Sequence, residues 1–229
     1  MLVANNDGPK PGERPYWPTL LTCGRKGVGK NLAFLTLAEM GVLDLEDVFD
    51  LGDALRARKD AMSPEARAKL SGSQLIGKDI VDPLVREFLS TPPKKPGGLR
   101  VCIGYPRDYP QAKQMLSWCL ELKGSNPSYY PKPVIMDMTI SREAAFARRK
   151  GRGRADDQCL KSLQVGEDEF NYLTLPGFQY LREQGVYVTR PVSGETNEPG
   201  DTTESQKRGA RIVARRIQRE LVEECLIAS

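Results

Sequence analysis

The chain has 229 residues, of which 39% are hydrophobic and 28% are charged, and its formal net charge is +4. This composition predicts a folded domain with a full core, because disordered chains are poorer in apolar residues and membrane-spanning chains contain long apolar runs. The sequence contains no histidine, which excludes Ser-His-Asp and Cys-His nucleophilic sites and metal sites with histidine ligands. A net charge this small does not by itself predict a nucleic acid partner.

The first segment, residues 1–18, is polar and carries four prolines. It predicts an extended N-terminal arm that precedes a domain at 19–229. Tyr16 and Trp17 stand side by side near its end. Aromatic residues are frequent interface anchors, so the arm is a candidate contact with a protein partner. The alternative is a leader whose two aromatic residues fold back onto their own domain.

The next stretch carries the strongest motif. Residues 19–23 are mostly apolar, residues 24–30 read GRKGVGK, and residues 31–40 contain neither proline nor glycine. This order predicts a buried strand, a phosphate-binding loop and a helix, in which backbone N–H groups, the helix N-terminus and a lysine attract phosphate. The predicted phosphate-binding residues are Gly24, Gly27, Val28, Gly29 and Lys30. Asn31 replaces the Ser or Thr that normally follows the lysine and holds Mg²⁺.

The rest of the chain alternates between strand and helix patterns. Strands are predicted at 42–49, 99–103, 134–138 and 186–189. Helices are predicted at 53–58, 64–70, 79–89, 110–122, 142–149 and 203–226. Such alternation predicts an α/β fold of the P-loop NTPase type, a parallel sheet flanked by helices.

The five cysteines are scattered and form no C-x-x-C pair. Two of them, Cys23 and Cys102, fall in predicted buried strands. An odd number of cysteines in such positions predicts reduced packing thiols. We therefore expect an intracellular protein, either cytoplasmic or organellar (including mitochondrial), and not a secreted one.

Beyond the arm, the chain resembles the adenylate kinases of the nucleoside monophosphate kinase family. The resemblance rests on five motifs in family order, which are GRKGVGK at 24–30, GDALR at 52–56, QLI at 74–76, GYPR at 104–107 and RADD at 154–157. It implies an adenylate-kinase-like fold in which a segment at 53–91 binds the monophosphate. It also implies a short lid at about 149–156.

The resemblance also implies the site residues. ATP would lie with its phosphates on the loop at 24–30. The residues implied for AMP binding are Asp53, Arg56, Gln74, Arg107 and Gln111. The residues implied for the chemical step are Lys30, Lys150 and Arg154.

The chain departs from the family pattern where the chemical step takes place. Ile103 stands in place of the acidic residue that steers Mg²⁺. Phe146 stands at the first lid arginine and Lys150 at the second, and lysine lacks the planar fork of arginine. Neither Val165 nor Gly166 supplies the arginine expected on the following helix.

These losses favour a non-catalytic member of the family, because phosphoryl transfer depends on charge neutralisation by Mg²⁺, lysine and arginine. Such a protein would be a nucleotide-binding or structural subunit of a larger assembly with protein partners. The alternative is an active kinase that transfers the ATP γ-phosphate to AMP. ATP and AMP are the expected ligands, and a Mg²⁺ site of the family type is not expected.

Two basic segments remain. Residues 148–154 read RRKGRGR, and we interpret them as a lid remnant that contacts phosphate, the alternative being a docking site for RNA or an acidic partner. In the predicted last helix, basic residues lie opposite an apolar face. They form either a partner surface or a solvated face.

Overall fold

A computed structural model describes residues 16–71, 75–95, 97–126, 129–151, 159–196 and 202–227. Within these ranges strands and helices alternate, and each described strand pairing is parallel. The predicted α/β fold with a parallel sheet flanked by helices is confirmed.

The sheet has a central strand that leads into the glycine-rich loop. The strands are β1 (Tyr16–Cys23), β2 (Val48–Asp50), β3 (Arg100–Ile103), β4 (Tyr130–Thr139), β5 (Tyr187–Val188) and β6 (Val192–Ser193). They are arranged in the order β2-β3-β1-β4-β5, and β6 pairs with the end of β4. The loop after β1 therefore lies at the carboxyl edge of the sheet, where open α/β folds bind their ligands.

Helices cover both faces of this sheet. They are α1 (Lys30–Glu39), α2 (Leu51–Ala57), α3 (Pro64–Ser71), α4 (Lys78–Ser90), α5 (Tyr109–Ser125), α6 (Arg142–Gly151), α7 (Leu160–Glu169), α8 (Leu175–Glu183) and α9 (Thr203–Glu223). A π-helical turn, Phe170–Thr174, joins α7 to α8. The sequence analysis gave no boundaries for α7 and α8.

Two apolar clusters hold the layers together. Successive residues of the strands alternate between them, so Leu20 packs with α1 and α9, whereas Leu21 packs with α4, α5 and α8. This alternation follows from the two-residue repeat of a strand buried on both faces. Cys23, Cys102 and Cys119 are buried, as expected for packing thiols, whereas Cys159 and Cys225 are exposed.

The first strand begins earlier than predicted. Tyr16, Trp17 and Pro18 belong to β1, where they pair with β4, although the sequence analysis assigned them to the arm. Pairing with β3 starts only at Thr19. At Pro18, β1 is therefore flanked on one side only, which is a position where a missing N–H group is tolerated. The rest of the arm, residues 1–15, lies outside the described residues.

The second strand is shorter than predicted. Only Val48–Asp50 is a strand, and a 3₁₀ turn at Leu45–Asp47 precedes it. The side chain of Asp44 accepts a hydrogen bond from the N–H of Glu46 and so caps that turn.

The monophosphate-binding segment at 53–91 and the lid at 149–156 stay predictions.

The last helix is amphipathic, as predicted. Its apolar side, including Val213, Ile217 and Leu221, is buried against the sheet and α1. Arg216 is only half-exposed and donates to the carbonyl oxygen of Ser193, which anchors the helix to β6. The exposed basic residues are Lys207, Arg208, Arg211, Arg215 and Arg219.

No helix in the described ranges combines the length and the apolar character needed to cross a bilayer.

Candidate active site

Two glycines shape the loop between β1 and α1. Gly27 and Gly29 have φ angles of 100° and 98°, a region that suits glycine and strains other residues. Gly27 also leaves no room for a side chain, because a Cβ there would lie 2.6 Å from the carbonyl oxygen of Ala145 in α6. The loop thus turns sharply and packs closely on α6. It ends at the N-terminus of α1, whose unpaired N–H groups and dipole favour an anion.

Lys30 is the first residue of α1, and its ammonium group lies over the loop. Nζ donates to the carbonyl oxygens of Gly24 and Arg25, the latter at 3.1 Å. Burial lowers the pKa of Lys30 from 10.5 to about 8. The ammonium is therefore still protonated at neutral pH and can bind a phosphate.

A large cavity extends from this loop across the carboxyl edge of the sheet. Its volume is about 900 Å³. The charged side chains that line it are Lys26, Lys30, Arg56, Lys59, Arg107, Arg148, Arg149, Asp50, Asp53 and Glu169. The excess of basic over acidic groups favours a ligand with several negative charges, such as a polyphosphate.

The wall formed by α2 contains two of the predicted monophosphate residues. Asp53 and Arg56 form an ion pair at 2.5 Å, and both line the cavity. Asp50, at the end of β2, accepts a hydrogen bond from the N–H of Asp53 and so caps α2. The amide of Asn31 donates to both carboxylates, at 2.7 Å to Asp50 and 2.8 Å to Asp53. The N-terminus of α2 is therefore tied to that of α1.

The turn after β3 supplies Arg107 to the opposite wall. The guanidinium of Arg107 lies 2.8 Å from one carboxylate oxygen of Glu169, and the other oxygen accepts from Lys26 at 2.6 Å. Glu169 thus links this turn to the phosphate-binding loop. Gln111, one of the residues implied for AMP binding, is buried, and its side-chain oxygen accepts from the N–H of Arg107 at 2.8 Å. Gln111 supports the turn and does not line the cavity.

The arginines of α6 that reach the cavity differ from the positions predicted from the sequence. Arg148 and Arg149 line the cavity, whereas Lys150 is exposed and does not. The helix phase explains this, because Ala145 is buried against Gly27. Side chains three and four residues further on then lie on the same face.

Phe146, the predicted position of the first lid arginine, does not line the cavity. It packs beneath the guanidinium of Arg142, 5.1 Å from its ring centre. Arg148 takes the place over the loop. Its side chain donates to the hydroxyl of Thr196 at 3.0 Å and to the carbonyl oxygen of Val28 at 3.4 Å.

The remaining predicted residues divide into three groups. Those in the cavity wall are Gly24, Gly27, Gly29, Lys30, Asp53, Arg56 and Arg107. Val28 is fully buried and does not line the cavity. Gln74 and Arg154 lie outside the described residues. Sequence reasoning missed the lining side chains Lys26, Asp50 and Glu169. Arg148 and Arg149 also line the cavity, and they fall in the basic segment 148–154 that was interpreted as contacting phosphate, but neither was given a role of its own; the helix phase of α6 was the available signal for these two arginines.

Adenylate kinases of several bacteria are similar to this chain. That of Mycobacterium tuberculosis is 30% identical over 172 residues, which cover 72% of this chain and 86% of that protein. Those of Agrobacterium fabrum and Oenococcus oeni are 28% and 23% identical and cover 74% and 78% of this chain, and 87% and 91% of their own lengths. No model of a protein family matches the chain. Because a relative that is 30% identical matches most of both chains, the chain belongs to the adenylate kinase family.

Proposed function

We propose that the protein is an active adenylate kinase that transfers the γ-phosphoryl group of ATP to AMP. The observation that carries this proposal is that Lys30 and four arginines line one cavity. The arginines are Arg56, Arg107, Arg148 and Arg149. The expectation of a non-catalytic protein depended in part on missing lid-side arginines, and two arginines of α6, Arg148 and Arg149, line the cavity.

In this reaction, side chains of the cavity wall bind the phosphates of the two substrates. Lys30 and the N–H groups of the loop bind the ATP phosphates, and Arg56 and Arg107 bind the phosphate of AMP. An oxygen of AMP attacks the γ-phosphorus while the bond to the β–γ bridging oxygen breaks, which leaves two molecules of ADP. The protein contributes positioning and charge, because little covalent chemistry is required of it.

Membership of the family implies a Mg²⁺ ion, and the carboxylates present fit such an ion at a position different from that in the family pattern. Ile103 is buried and apolar, but its register partner on the neighbouring strand is Asp50. The carboxylates of Asp50 and Asp53 converge on the amide of Asn31, and carboxylate oxygens are suitable Mg²⁺ ligands, directly or through water. Asp50 would therefore hold the ion in place of position 103. When bound, Mg²⁺ neutralises charge on the phosphates.

A coupled assay of ADP formation from ATP and AMP tests the proposal. We expect a kcat of order 1–10³ s⁻¹, and we expect Arg107→Ala to lower kcat/KM by about 10²-fold or more. Arg86→Ala is the matched control, since Arg86 is exposed and pairs with Glu121 on the protein surface. A protein that gives no ADP above background, yet melts at a higher temperature with AMP, would be a non-catalytic nucleotide-binding subunit. The buried Ile103 is the observation that favours that second candidate.

The lowered pKa of Lys30 predicts a pH dependence of ATP affinity. A phosphate binds the protonated ammonium, so affinity is constant below the pKa of about 8 and falls above it, by up to tenfold per pH unit. Titration calorimetry with ATP between about pH 7.5 and 9.5, on either side of that pKa, measures the slope.

Lys30→Arg is the control for this slope, because a guanidinium stays protonated throughout this range. Its affinity is expected to be lower but nearly independent of pH. Burial also lowers the pKa of Lys26, so this control separates the two lysines. An equal slope in wild type and Lys30→Arg would assign the titration to a group other than Lys30.

A further inference from the structure

The arginine expected on α7 is absent from that helix, but another guanidinium occupies its place. Gly166 lines the cavity at one of the two expected positions, and the other, Val165, is 45% exposed and does not. A Cβ on Gly166 would lie 2.8 Å from Nη1 of Arg149 and 3.4 Å from its Cζ and Nη2. The head group of an α6 side chain therefore fills the space in which an α7 side chain would begin.

Arg149 is held firmly in this position. It is only 2% exposed, an unusual burial for an arginine. Its Nη1 donates to the carbonyl oxygen of Leu163 at 3.2 Å and its Nη2 to that of Ser162 at 3.5 Å. These two bonds orient the plane of the guanidinium against α7.

Arg149 lies close to other cationic side chains of the cavity. Arg149 lines the cavity together with Lys30 and Arg107. The pKa of Lys26 is lowered by burial first, then by Arg107, and also by Arg149, so these cations are close enough to repel one another. Such a cluster is relieved by a ligand that carries several negative charges.

We infer that Arg149 replaces the missing α7 arginine and binds the transferring phosphoryl group. Gly166 has no side chain and so leaves room for the Arg149 guanidinium. The inference deepens the proposed function and rests on it. Arg149 and Gly166 form a complementary pair in which either position can supply the guanidinium, but not both at once. Two parallel N–H groups of a guanidinium match two phosphoryl oxygens, and charge on those oxygens is spread in the transition state.

The test moves the arginine from one helix to the other. Arg149→Ala is expected to lower kcat by about 10²–10³-fold with little change in the Kd of AMP. Arg149→Lys keeps the charge and most of the packing but lacks the planar fork, so its melting temperature should stay near that of wild type while kcat falls. The double variant Arg149→Ala/Gly166→Arg should recover at least about tenfold of the lost kcat. Arg142→Ala is the matched control, because Arg142 lies on the same helix, over Phe146 and outside the cavity.

A binding measurement separates failure of this inference from failure of the proposed function. The probe is diadenosine pentaphosphate, whose phosphate chain spans both nucleotide positions. If wild type binds the probe without forming ADP, the kinase assignment is wrong. Arg149 is then still supported if Arg149→Ala weakens binding at least about tenfold and the double variant restores it.

Three outcomes would overturn the inference. The first is an Arg149→Lys variant with wild-type kcat and wild-type probe affinity. The second is a double variant that folds but is no better than Arg149→Ala. The third is a wild-type protein that neither forms ADP nor binds the probe, which would also refute the proposed function.

Discussion

Replacing Gly27 with alanine is expected to lower the free energy of unfolding by about 3 kcal/mol or more. A φ of 100° strains any residue with a Cβ, at a cost of about 1–2 kcal/mol. The added methyl group would also lie 2.6 Å from the carbonyl oxygen of Ala145 and 3.2 Å from its Cα, so α6 must move, at a further cost of about 1–3 kcal/mol. Thermal unfolding should show a fall in Tm of about 10 °C for a chain of this size.

The same substitution should also remove activity from the protein that remains folded. Ala145 lies on α6 three and four residues before Arg148 and Arg149, so a shift of that helix carries both arginines away from the loop. Gly41→Ala is the matched control. Gly41 has a φ of 74° but nothing lies within 4 Å of its Cβ position, so only the backbone strain of about 1 kcal/mol is expected. Equal effects of the two substitutions would show that the contact with Ala145 is not close in solution.

The sequence predicted the parts of the fold that depend on short-range patterns. The loop at 24–30 has a glycine spacing that few other structures require, and the apolar runs of β1, β3 and β4 are buried on both faces of the sheet. The strand order β2-β3-β1-β4-β5 was not predicted, because it depends on contacts between segments far apart in the chain.

The arginines of α6 could have been predicted, but comparison with the family pattern assigned the lid positions to Phe146 and Lys150, which do not line the cavity. Helix phase is the better guide, since Ala145 is the buried small residue against the loop and Arg149 follows it by one turn. The pairing of Arg149 with Gly166 is different. It depends on how two helices approach each other in space, and a glycine on α7 gives no sign in the sequence of which side chain will fill its place.

The position of the acidic group shows the same limit. When position 103 alone is compared with the family pattern, Ile103 shows only that the acidic residue has been lost. In the sheet, Asp50 ends the neighbouring strand in register with Ile103. A carboxylate can therefore be supplied from β2 to the same edge, and only the strand pairing reveals it.

The second large effect is expected for Trp17→Ala, which should lower the free energy of unfolding by about 3–5 kcal/mol. Trp17 is 4% exposed, lies opposite Pro131 in the pairing of β1 with β4, and its ring centre is 4.7 Å from that of Tyr129. From the sequence, Trp17 was either an anchor for a partner or a residue folded back onto its own domain, and a partner anchor would contribute little to the stability of the isolated chain. Denaturant unfolding distinguishes the two roles, because a core residue shifts the midpoint without any partner present.

Two control variants make this result specific. Trp17→Phe keeps most of the ring packing, and Nε1 has no hydrogen-bond partner in the described part of the chain, so a cost of only about 1.5 kcal/mol or less is expected. Tyr172→Ala removes an aromatic side chain that is 75% exposed and should change stability by about 0.5 kcal/mol or less. An unchanged denaturation midpoint for Trp17→Ala would show that Trp17 is a surface anchor and not a core residue.

Because the structure assigns Trp17 to the core, loss of partner binding in Trp17→Ala would not by itself identify a contact between Trp17 and a partner. Deletion of residues 1–14, which leaves β1 intact, is the change that tests the arm separately.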